Sequence, residues 1–370
     1  MLASPVRVLV AMSGGVDSSM AAALLVEAGH DVTGVHLKMA DTPSGLPGKG
    51  CCTLDDSRDA RRVADRLGIP FYVWDFSAAF TERVVEDFVA EYATGRTPNP
   101  CIRCNERVKY TALLARARAV GFDRLATGHH VRLRTGERDR HRLLRAADPG
   151  KDQTYVLYMA TQEQLAHTLW PVGEHQKAAL RAMAAERGLI TATKPDSHDI
   201  CFIPSGDLGG FLRPRLGART GRFVGPGGEI LGAHDGAYRF TVGQRRGLGL
   251  AGQPEPLFVT AIEGDDVHVG PRQALEAERV EATAPSWVAG APPETGKVGA
   301  QVRYRGHPLP AVLEDAGAAR VRVRFTQEPP VGVAPGQAVV FYDGDECLGG
   351  ATITSSSSCA PPAIPDTGHA

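Results

Sequence analysis

Long apolar runs and an excess of charge of either sign are both missing from this chain. Its 370 residues carry 41 Lys and Arg against 42 Asp and Glu, a formal net charge of −1. Nucleic-acid binding would therefore need a local cationic patch. No apolar run approaches membrane-spanning length, and the N-terminal M-L-A-S-P-V-R leads directly into a predicted strand. We therefore expect no membrane segment, no signal peptide and a cytoplasmic protein.

A disulfide framework is not indicated either. The chain has seven cysteines, an odd number, and in a reducing compartment such residues favour thiol chemistry or metal binding. Cys51 and Cys52 are adjacent, so their Cα atoms lie about 3.8 Å apart, closer than an ordinary disulfide prefers. Packing is the better interpretation of this pair because no other ligands cluster nearby in sequence, and metal binding stays open.

The stretch Val6 to Ser19, V-R-V-L-V-A-M-S-G-G-V-D-S-S, lacks two common nucleotide-binding signatures. It has neither a Gly-Lys-Ser/Thr ending nor the G-x-G-x-x-G spacing. It does predict a strand, a glycine turn and a helix over Ser18 to Ala28, an arrangement that favours phosphate because free N–H groups and the helix dipole meet there. Asp17 in such a site needs a cation, most simply the Mg²⁺ that accompanies a nucleotide. The motif resembles the PP-loop of the N-type ATP pyrophosphatases, which transfer AMP from ATP to a substrate oxygen.

The order of predicted elements indicates an α/β fold followed by β structure. A second strand, Asp31 to Leu37, completes a βαβ unit and so predicts a doubly wound parallel sheet. Near Ser205 glycine and proline become frequent, and short β-like runs such as Tyr238 to Val242 replace helical periodicity. We predict a PP-loop ATP-binding domain over 1–205, a small β domain over 206–285, a β-barrel over 286–355 and a disordered tail over 356–370.

Cysteines accompany this nucleotide loop at two distant places. Cys101 and Cys104 lie at the predicted start of a helix, whose N-terminus lowers a thiol pKa, and Cys201 lies in a short apolar run between turn signals. Transfer of AMP makes a carbonyl oxygen a leaving group that a sulfur nucleophile can replace. The combination therefore predicts ATP-dependent thiolation.

A predicted hairpin over Val131 to Arg145 is the densest cationic segment. Its arginines are Arg132, Arg134, Arg138, Arg140, Arg142 and Arg145. Two interpretations stay open: an edge hairpin kept from aggregating by its charge, and a phosphate-binding patch for nucleic acid.

Eight ordered motifs cover nearly the whole chain: S-G-G-V-D-S-S, G-K-G-C-C, T-P-N-P-C-I-R-C-N, A-T-G-H-H, K-D-Q-T-Y-V-L, K-P-D-S-H-D-I-C-F-I, F-T-V-G-Q-R-R-G-L-G and P-G-Q-A-V-V-F-Y. With these motifs the chain resembles the bacterial tRNA-specific 2-thiouridylases. The resemblance implies thiolation of the wobble uridine of tRNA, expected for the Lys, Glu and Gln types, with ATP and Mg²⁺. The C2 oxygen would be adenylated, and a persulfide supplied by a sulfur-relay donor protein would attack C2 and release AMP.

The resemblance also implies roles for individual residues. Cys201 would carry the persulfide, and Cys104 would act as nucleophile and form a disulfide with Cys201 after sulfur leaves. The implied nucleotide contacts are Ala11, Met12, Ser13, Gly14, Gly15, Val16, Asp17, Ser18, Leu37 and Gly128. The implied target-base segment is Asn99, Pro100 and Cys101, and the implied tRNA contacts are His129, Lys151, Asp152, Gln153, Arg303, Tyr304 and Gln337.

One departure from the family pattern creates an alternative. Many members carry an aspartate where this chain has Cys101, so an acid or base role of that carboxylate is in doubt. Three cysteines, Cys101, Cys104 and Cys201, would suit a [4Fe–4S] cluster with one open iron.

Two further functions belong to other classes. A PP-loop synthetase acting on a small carboxylic acid would not need the Cys104 and Cys201 pair. A zinc-stabilised RNA-binding protein would use Cys51, Cys52, Cys101 and Cys104 as ligands, but it would leave the loop at 13–18 without a purpose.

Overall fold

The structure is a computed structural model that describes residues 5–39, 54–136, 139–196, 200–203, 205–250, 252 and 255–358. The predictions for Cys51, Cys52, Arg138 and residues 359–370 of the tail lie outside these residues. Among the described residues, no helix has both the length and the apolar composition that spanning a bilayer requires.

The N-terminal part is a parallel sheet covered by helices, which confirms the predicted fold class. Its strands are β1 (Arg7–Ala11), β2 (Asp31–Lys38), β3 (Phe71–Asp75), β4 (Arg124–Ala126) and β7 (Thr168–Leu169), arranged in the order β3-β2-β1-β4-β7. Val8, Leu9 and Val10 of β1 are fully buried because β1 is the central strand. Helices on both faces explain why this strand is a continuous apolar run.

The helices of this domain lie between and after its strands in the chain. They are α1 (Val16–Glu27), α2 (Leu54–Leu67), α3 (residues 77–93), α4 (residues 100–119), α5 (Gln162–Ala166) and α6 (Lys177–Glu186). Wider π-type turns occupy Thr81–Val85 in α3 and Cys104–Leu113 in α4. Such turns are frequent at functional sites, and the second begins at Cys104.

A small domain follows, with α7 (Leu208–Leu216), β8 (Gly221–Val224), β9 (Ile230–His234), β10 (Phe258–Glu263) and β11 (Asp266–Gly270). Its strands form a four-stranded sheet in the order β10-β11-β8-β9. The β-like prediction for Tyr238 to Val242 is wrong, since Ala237–Arg239 forms a single 3₁₀ turn. Tyr238 is buried against Phe88 and Leu212 there, so tertiary packing overrides the local β propensity.

The C-terminal part is a closed barrel. Six strands form it: β12 (Arg279–Trp287), β13 (Lys297–Gln301), β14 (Leu309–Ala316), β15 (Arg320–Phe325), β16 (Ala338–Asp343) and β17 (Glu346–Ser357). Antiparallel pairing of β12 with both β15 and β17 closes the ring, which confirms the predicted barrel. Closure removes exposed sheet edges.

The arginine-rich hairpin is β5 (Val131–Thr135) with β6 (His141–Arg145), and it extends this barrel sheet because β6 pairs with β17. Its arginines bind carboxylates: Arg132 to Asp345, Arg134 to Glu174, Arg140 and Arg142 to Glu346, and Arg145 to Asp152. Of the two interpretations, the described contacts favour a charged structural hairpin. The hairpin joins the nucleotide domain to the barrel.

Candidate active site

The glycine turn after β1 is shaped by its own serines. The Ser18 hydroxyl accepts from the Ser13 N–H at 3.2 Å and donates to the Gly15 carbonyl at 3.1 Å, and Ser19 donates to the same carbonyl at 2.8 Å. Gly14 has φ +79°, and a Cβ there would lie 2.3 Å from the Asp56 carbonyl oxygen. Only glycine fits this turn without strain. The turn therefore leaves the first N–H groups of α1 facing the carboxyl edge of the sheet.

The predicted nucleotide residues come together at that edge. Ala11 ends β1, and Leu37 lies near the end of the neighbouring strand β2. Gly128 follows β4 on the other side and packs so closely on α1 that a Cβ would lie 2.6 Å from the Ser18 nitrogen. The remaining members, Met12, Ser13, Gly14, Gly15, Val16, Asp17 and Ser18, form the turn itself. Ligands of open α/β sheets bind at such strand ends.

Asp17 is held by two residues that were not among the predicted site residues. Lys177 Nζ, from the start of α6, lies 2.8 and 2.6 Å from the two carboxylate oxygens, and His130 Nε2 lies 3.0 Å from Oδ1. Burial raises the pKa of Asp17, but the hydrogen bonds and charges of His130 and Lys177 outweigh burial, so this pKa lies below its ordinary value. Asp17 is therefore ionised at neutral pH.

The ion pairs continue from Lys177 to Asp196. Asp196 accepts from Lys177 at 2.9 Å, from Arg181 at 2.7 Å and from Lys151 at 2.8 Å. Burial raises the pKa of Asp196, but the hydrogen bonds and charges of Lys151 and Lys177 outweigh burial and lower this pKa overall. Lys177 thus links Asp17 of the turn to Asp196, which lies five positions before Cys201 in the sequence.

Asp17 fits the expected Mg²⁺. In nucleotide sites this ion takes one or two carboxylates and completes its shell with phosphates and water, and Asp17 offers a carboxylate at the turn. Within the described ranges, no three His, Cys, Asp or Glu side chains are close enough together to hold a metal ion. Cys101, Cys104 and Cys201 are all described, so the cluster alternative lacks its ligand group there.

The two predicted catalytic cysteines share one hydrophobic cluster. Cys104 is 8% exposed and belongs to the cluster, and Cys201 packs against it. Phe202 fixes the Cys201 segment, since its ring meets those of Phe80 and Phe88 at 5.7 and 5.2 Å. Two cysteines that are 97 positions apart in the sequence therefore border the same hydrophobic cluster.

The predicted target-base segment lies at the start of α4. Asn99 caps this helix, because its Oδ1 accepts from the Cys101 N–H at 3.1 Å, and Pro100 occupies the first helical position. Cys101 is exposed. Just before this segment, Gln337 Nε2 donates to the Thr97 carbonyl at 2.7 Å, and the Thr97 N–H donates to the Pro335 carbonyl at 2.8 Å. The Thr97 hydroxyl lies 3.3 Å from that of Thr241, so all three structural parts meet at Thr97.

The predicted tRNA contacts differ in exposure. His129 is buried, with Nδ1 2.7 Å from the Thr127 hydroxyl and 2.9 Å from that of Tyr110, and burial lowers its pKa well below the ordinary value. The Gln153 side chain accepts from the His130 N–H at 2.9 Å, and the Gln337 side chain donates to the Thr97 carbonyl.

Other members of this set have different environments. The Asp152 side chain accepts from the Ala146 and Thr154 N–H groups and from Arg145. Arg303 and Tyr304 are exposed on the turn after β13, and Lys151 is partly exposed. All seven tRNA contacts stay predictions.

Three known sequence families match consecutive parts of the chain. The family described as "tRNA methyl transferase HUP domain" matches residues 6–205, "tRNA methyl transferase PRC-barrel domain" matches 209–271, and "Aminomethyltransferase beta-barrel domain" matches 277–353. These blocks correspond to the parallel sheet, the four-stranded sheet and the closed barrel.

Curated relatives match over nearly their full length. The tRNA-specific 2-thiouridylase MnmA of Thermobifida fusca is 52% identical over 95% of this chain and 96% of the relative. Proteins of the same name from Mycolicibacterium smegmatis and Acidothermus cellulolyticus are each 52% identical, over 94% and 96% of this chain and 99% of each relative.

Proposed function

We propose a reaction route for this chain, which belongs to the family of tRNA-specific 2-thiouridylases and is a sulfurtransferase that 2-thiolates tRNA. ATP binds at the turn 13–18 and transfers AMP to the C2 oxygen of the wobble uridine, releasing pyrophosphate. The observation that supports this route is that Leu37, Ile102 and Cys104 belong to one hydrophobic cluster and Cys201 packs against it, with Asn99 capping the helix that carries Cys104.

The turn supplies phosphate binding. The free N–H groups at the start of α1 and the positive end of its dipole favour the triphosphate, and Asp17 is the residue that would hold Mg²⁺. When bound, the ion would neutralise phosphate charge and make pyrophosphate a better leaving group. Leu37 and Gly128 flank the nucleotide at the ends of β2 and β4.

Cys201 and Cys104 transfer sulfur to the base in two steps. The terminal persulfide sulfur of Cys201 attacks C2 and the C2–O bond to AMP breaks, leaving C2 bonded through two sulfurs to Cys201. The Cys104 thiolate then attacks the sulfur of Cys201, so that the second sulfur leaves with C2 as 2-thiouridine and a Cys104–Cys201 disulfide forms. A dithiol reductant returns two electrons to the pair.

The proposed route also implies a tRNA substrate and a protein that donates sulfur. The wobble uridine of the Lys, Glu and Gln tRNAs is the proposed substrate, and a sulfur-relay protein is the proposed donor of the persulfide. Cys101, in place of the aspartate of many relatives, lies exposed at the entrance to α4, where the target base is proposed to dock. A cytoplasmic location is part of this proposal.

Replacement of one cysteine tests the sulfur route. We expect Cys201→Ala to abolish 2-thiouridine formation while tRNA-dependent pyrophosphate release continues, because adenylation precedes sulfur transfer. Cys347→Ala is the matched control: Cys347 is fully buried in the barrel, and burial raises its pKa far above the ordinary value, so its thiol is inert. Nucleoside mass spectrometry and a pyrophosphate assay measure both products. Normal 2-thiouridine formation by Cys201→Ala would contradict the route.

A further inference from the structure

Lys177 is a buried lysine that lies far from the nucleotide turn in the sequence but contacts it in the fold. It is the first residue of α6, 160 positions after Asp17, and it is 8% exposed. Its Nζ reaches both oxygens of Asp17 in the first turn of α1 and also reaches Asp196. Its own N–H donates to Asp148 at 2.9 Å, which fixes the start of the helix. The ammonium group is thus presented to the phosphate-binding turn by a rigid element.

The ion-paired side chains around this ammonium group carry more positive than negative charge, which favours binding of a further anion. Lys151, Lys177 and Arg181 contribute three cations, while Asp17 and Asp196 contribute two carboxylates. An ammonium group is buried only when it is paired, and Asp17 pairs with it at the place where phosphate binds. The turn itself contains no lysine, so a cation for the departing phosphates has to come from elsewhere in the chain.

We propose that Lys177 is the residue that binds the β and γ phosphates of ATP and the departing pyrophosphate, with Asp17 and Asp196 holding its ammonium group in place beforehand. This inference rests on the proposed use of ATP at the turn. When the triphosphate binds, Nζ moves from the Asp17 carboxylate to the phosphate oxygens, and Asp17 becomes available to Mg²⁺. Developing negative charge on pyrophosphate then strengthens the contact in the transition state.

Nucleotide affinities distinguish binding of the β and γ phosphates by Lys177 from a purely structural role of this residue. We expect Lys177→Met to raise the Kd for Mg-ATP about tenfold or more, as befits loss of a charge-assisted hydrogen bond. The Kd for AMP should stay within about twofold, because AMP lacks the phosphates that Lys177 binds. Calorimetry with Mg-ATP, AMP and inorganic pyrophosphate measures this on the full chain without requiring turnover.

Arg187→Met is the matched control. Arg187 lies at the other end of α6 and binds Glu27 of α1 at 2.6 Å, so it joins the same two helices away from the turn. We expect this control to leave all three affinities unchanged. Equal weakening of ATP and AMP by Lys177→Met, or no weakening of either, would overturn the proposal. Failure of the unaltered protein to bind ATP would instead refute the proposed function.

A second variant keeps the test valid if Lys177→Met does not fold. Asp196→Asn preserves the shape of the side chain and removes one carboxylate that competes for Lys177. We expect pyrophosphate to bind this variant at least threefold more tightly, because the cations around the turn then outnumber the carboxylates by two. Unchanged or weaker pyrophosphate binding by a folded Asp196→Asn protein would overturn the proposal.

Discussion

Cys104 and Cys201 have separate tasks in the proposed route, and a single substitution distinguishes them. Without a thiol at position 104 the second step cannot occur, so Cys104→Ser should accumulate tRNA joined to Cys201 through two sulfurs. We expect a covalent protein–tRNA complex with persulfide-loaded Cys104→Ser and ATP, and its loss on treatment with dithiothreitol. Denaturing gel electrophoresis with labelled tRNA detects this complex. Free 2-thiouridine at the normal rate without any complex would contradict the assigned order.

Among the single residues of the site, those of the turn could be predicted from the sequence, but the partner of Asp17 could not. The serines and glycines of the turn were predictable because their roles are local, and the need of Asp17 for a cation was predictable from burial of charge. The identity of that cation was not, since Lys177 is one of 41 Lys and Arg and meets Asp17 only after five strands are arranged. The missing lysine in the turn was the one signal that pointed to a distant residue.

The segment 97–101 is positioned by elements far away in the chain. The Gln337 amide from the barrel holds Thr97, and Asn99 then caps α4 beside Cys101. Gln337 was predicted as a tRNA contact, and its side chain already has this internal partner. The tRNA contact stays a prediction, and the hydrogen bond to Thr97 indicates that Gln337 also positions the segment.

Removal of this amide should affect tRNA more than ATP. We expect Gln337→Ala to lower kcat/KM for tRNA by about fivefold to tenfold, the effect of one lost hydrogen bond to a partly buried carbonyl, and to leave ATP affinity unchanged. Steady-state kinetics with each substrate varied in turn measures both. Gln162→Ala is the control, because Gln162 Nε2 also donates to carbonyls of two distant segments, those of His141 and Val288. An equal loss in both variants would contradict a local role for Gln337.

Secondary-structure elements with strong periodicity were predicted well, and those without it were not. The βαβ start and the hairpin at 131–145 were visible because hydrophobic pattern and turn residues agree. Helix α7 was missed because Gly209, Gly210 and Pro214 interrupt its pattern. The docking of the hairpin onto β17 was also not predictable, since only two residue pairs join these strands in register.

Across the molecule, most cations of the described residues are already paired, which revises the expected nucleic-acid surface. Among the exposed arginines that have no carboxylate partner among the described residues, Arg245 and Arg246 lie together on the turn after Gly243, and Arg303 and Arg305 lie together on the turn after β13. Tyr304 lies between the latter two and is 40% exposed, so it offers a ring for stacking on a base. These two turns replace the hairpin as the expected cationic contacts.

The salt dependence of tRNA binding checks this revision. We expect affinity to fall with rising salt and the slope to decrease by about one for each of Arg245→Ala and Arg303→Ala, because each releases one phosphate contact. Arg134→Ala, which removes an arginine bound to Glu174, should leave the slope unchanged. Filter binding at several salt concentrations measures the slopes. A larger loss of slope in Arg134→Ala than in the turn variants would return the phosphate contacts to the hairpin.

The fate of one oxygen atom tests the whole route most directly. If AMP is transferred to the C2 oxygen and sulfur then replaces it, tRNA carrying ¹⁸O at C2 of the wobble uridine must give AMP that contains this ¹⁸O. Mass spectrometry of AMP from a single turnover with ATP and persulfide-loaded protein should find one labelled oxygen for each 2-thiouridine formed. Thiolated tRNA accompanied by unlabelled AMP would contradict adenylation of the base.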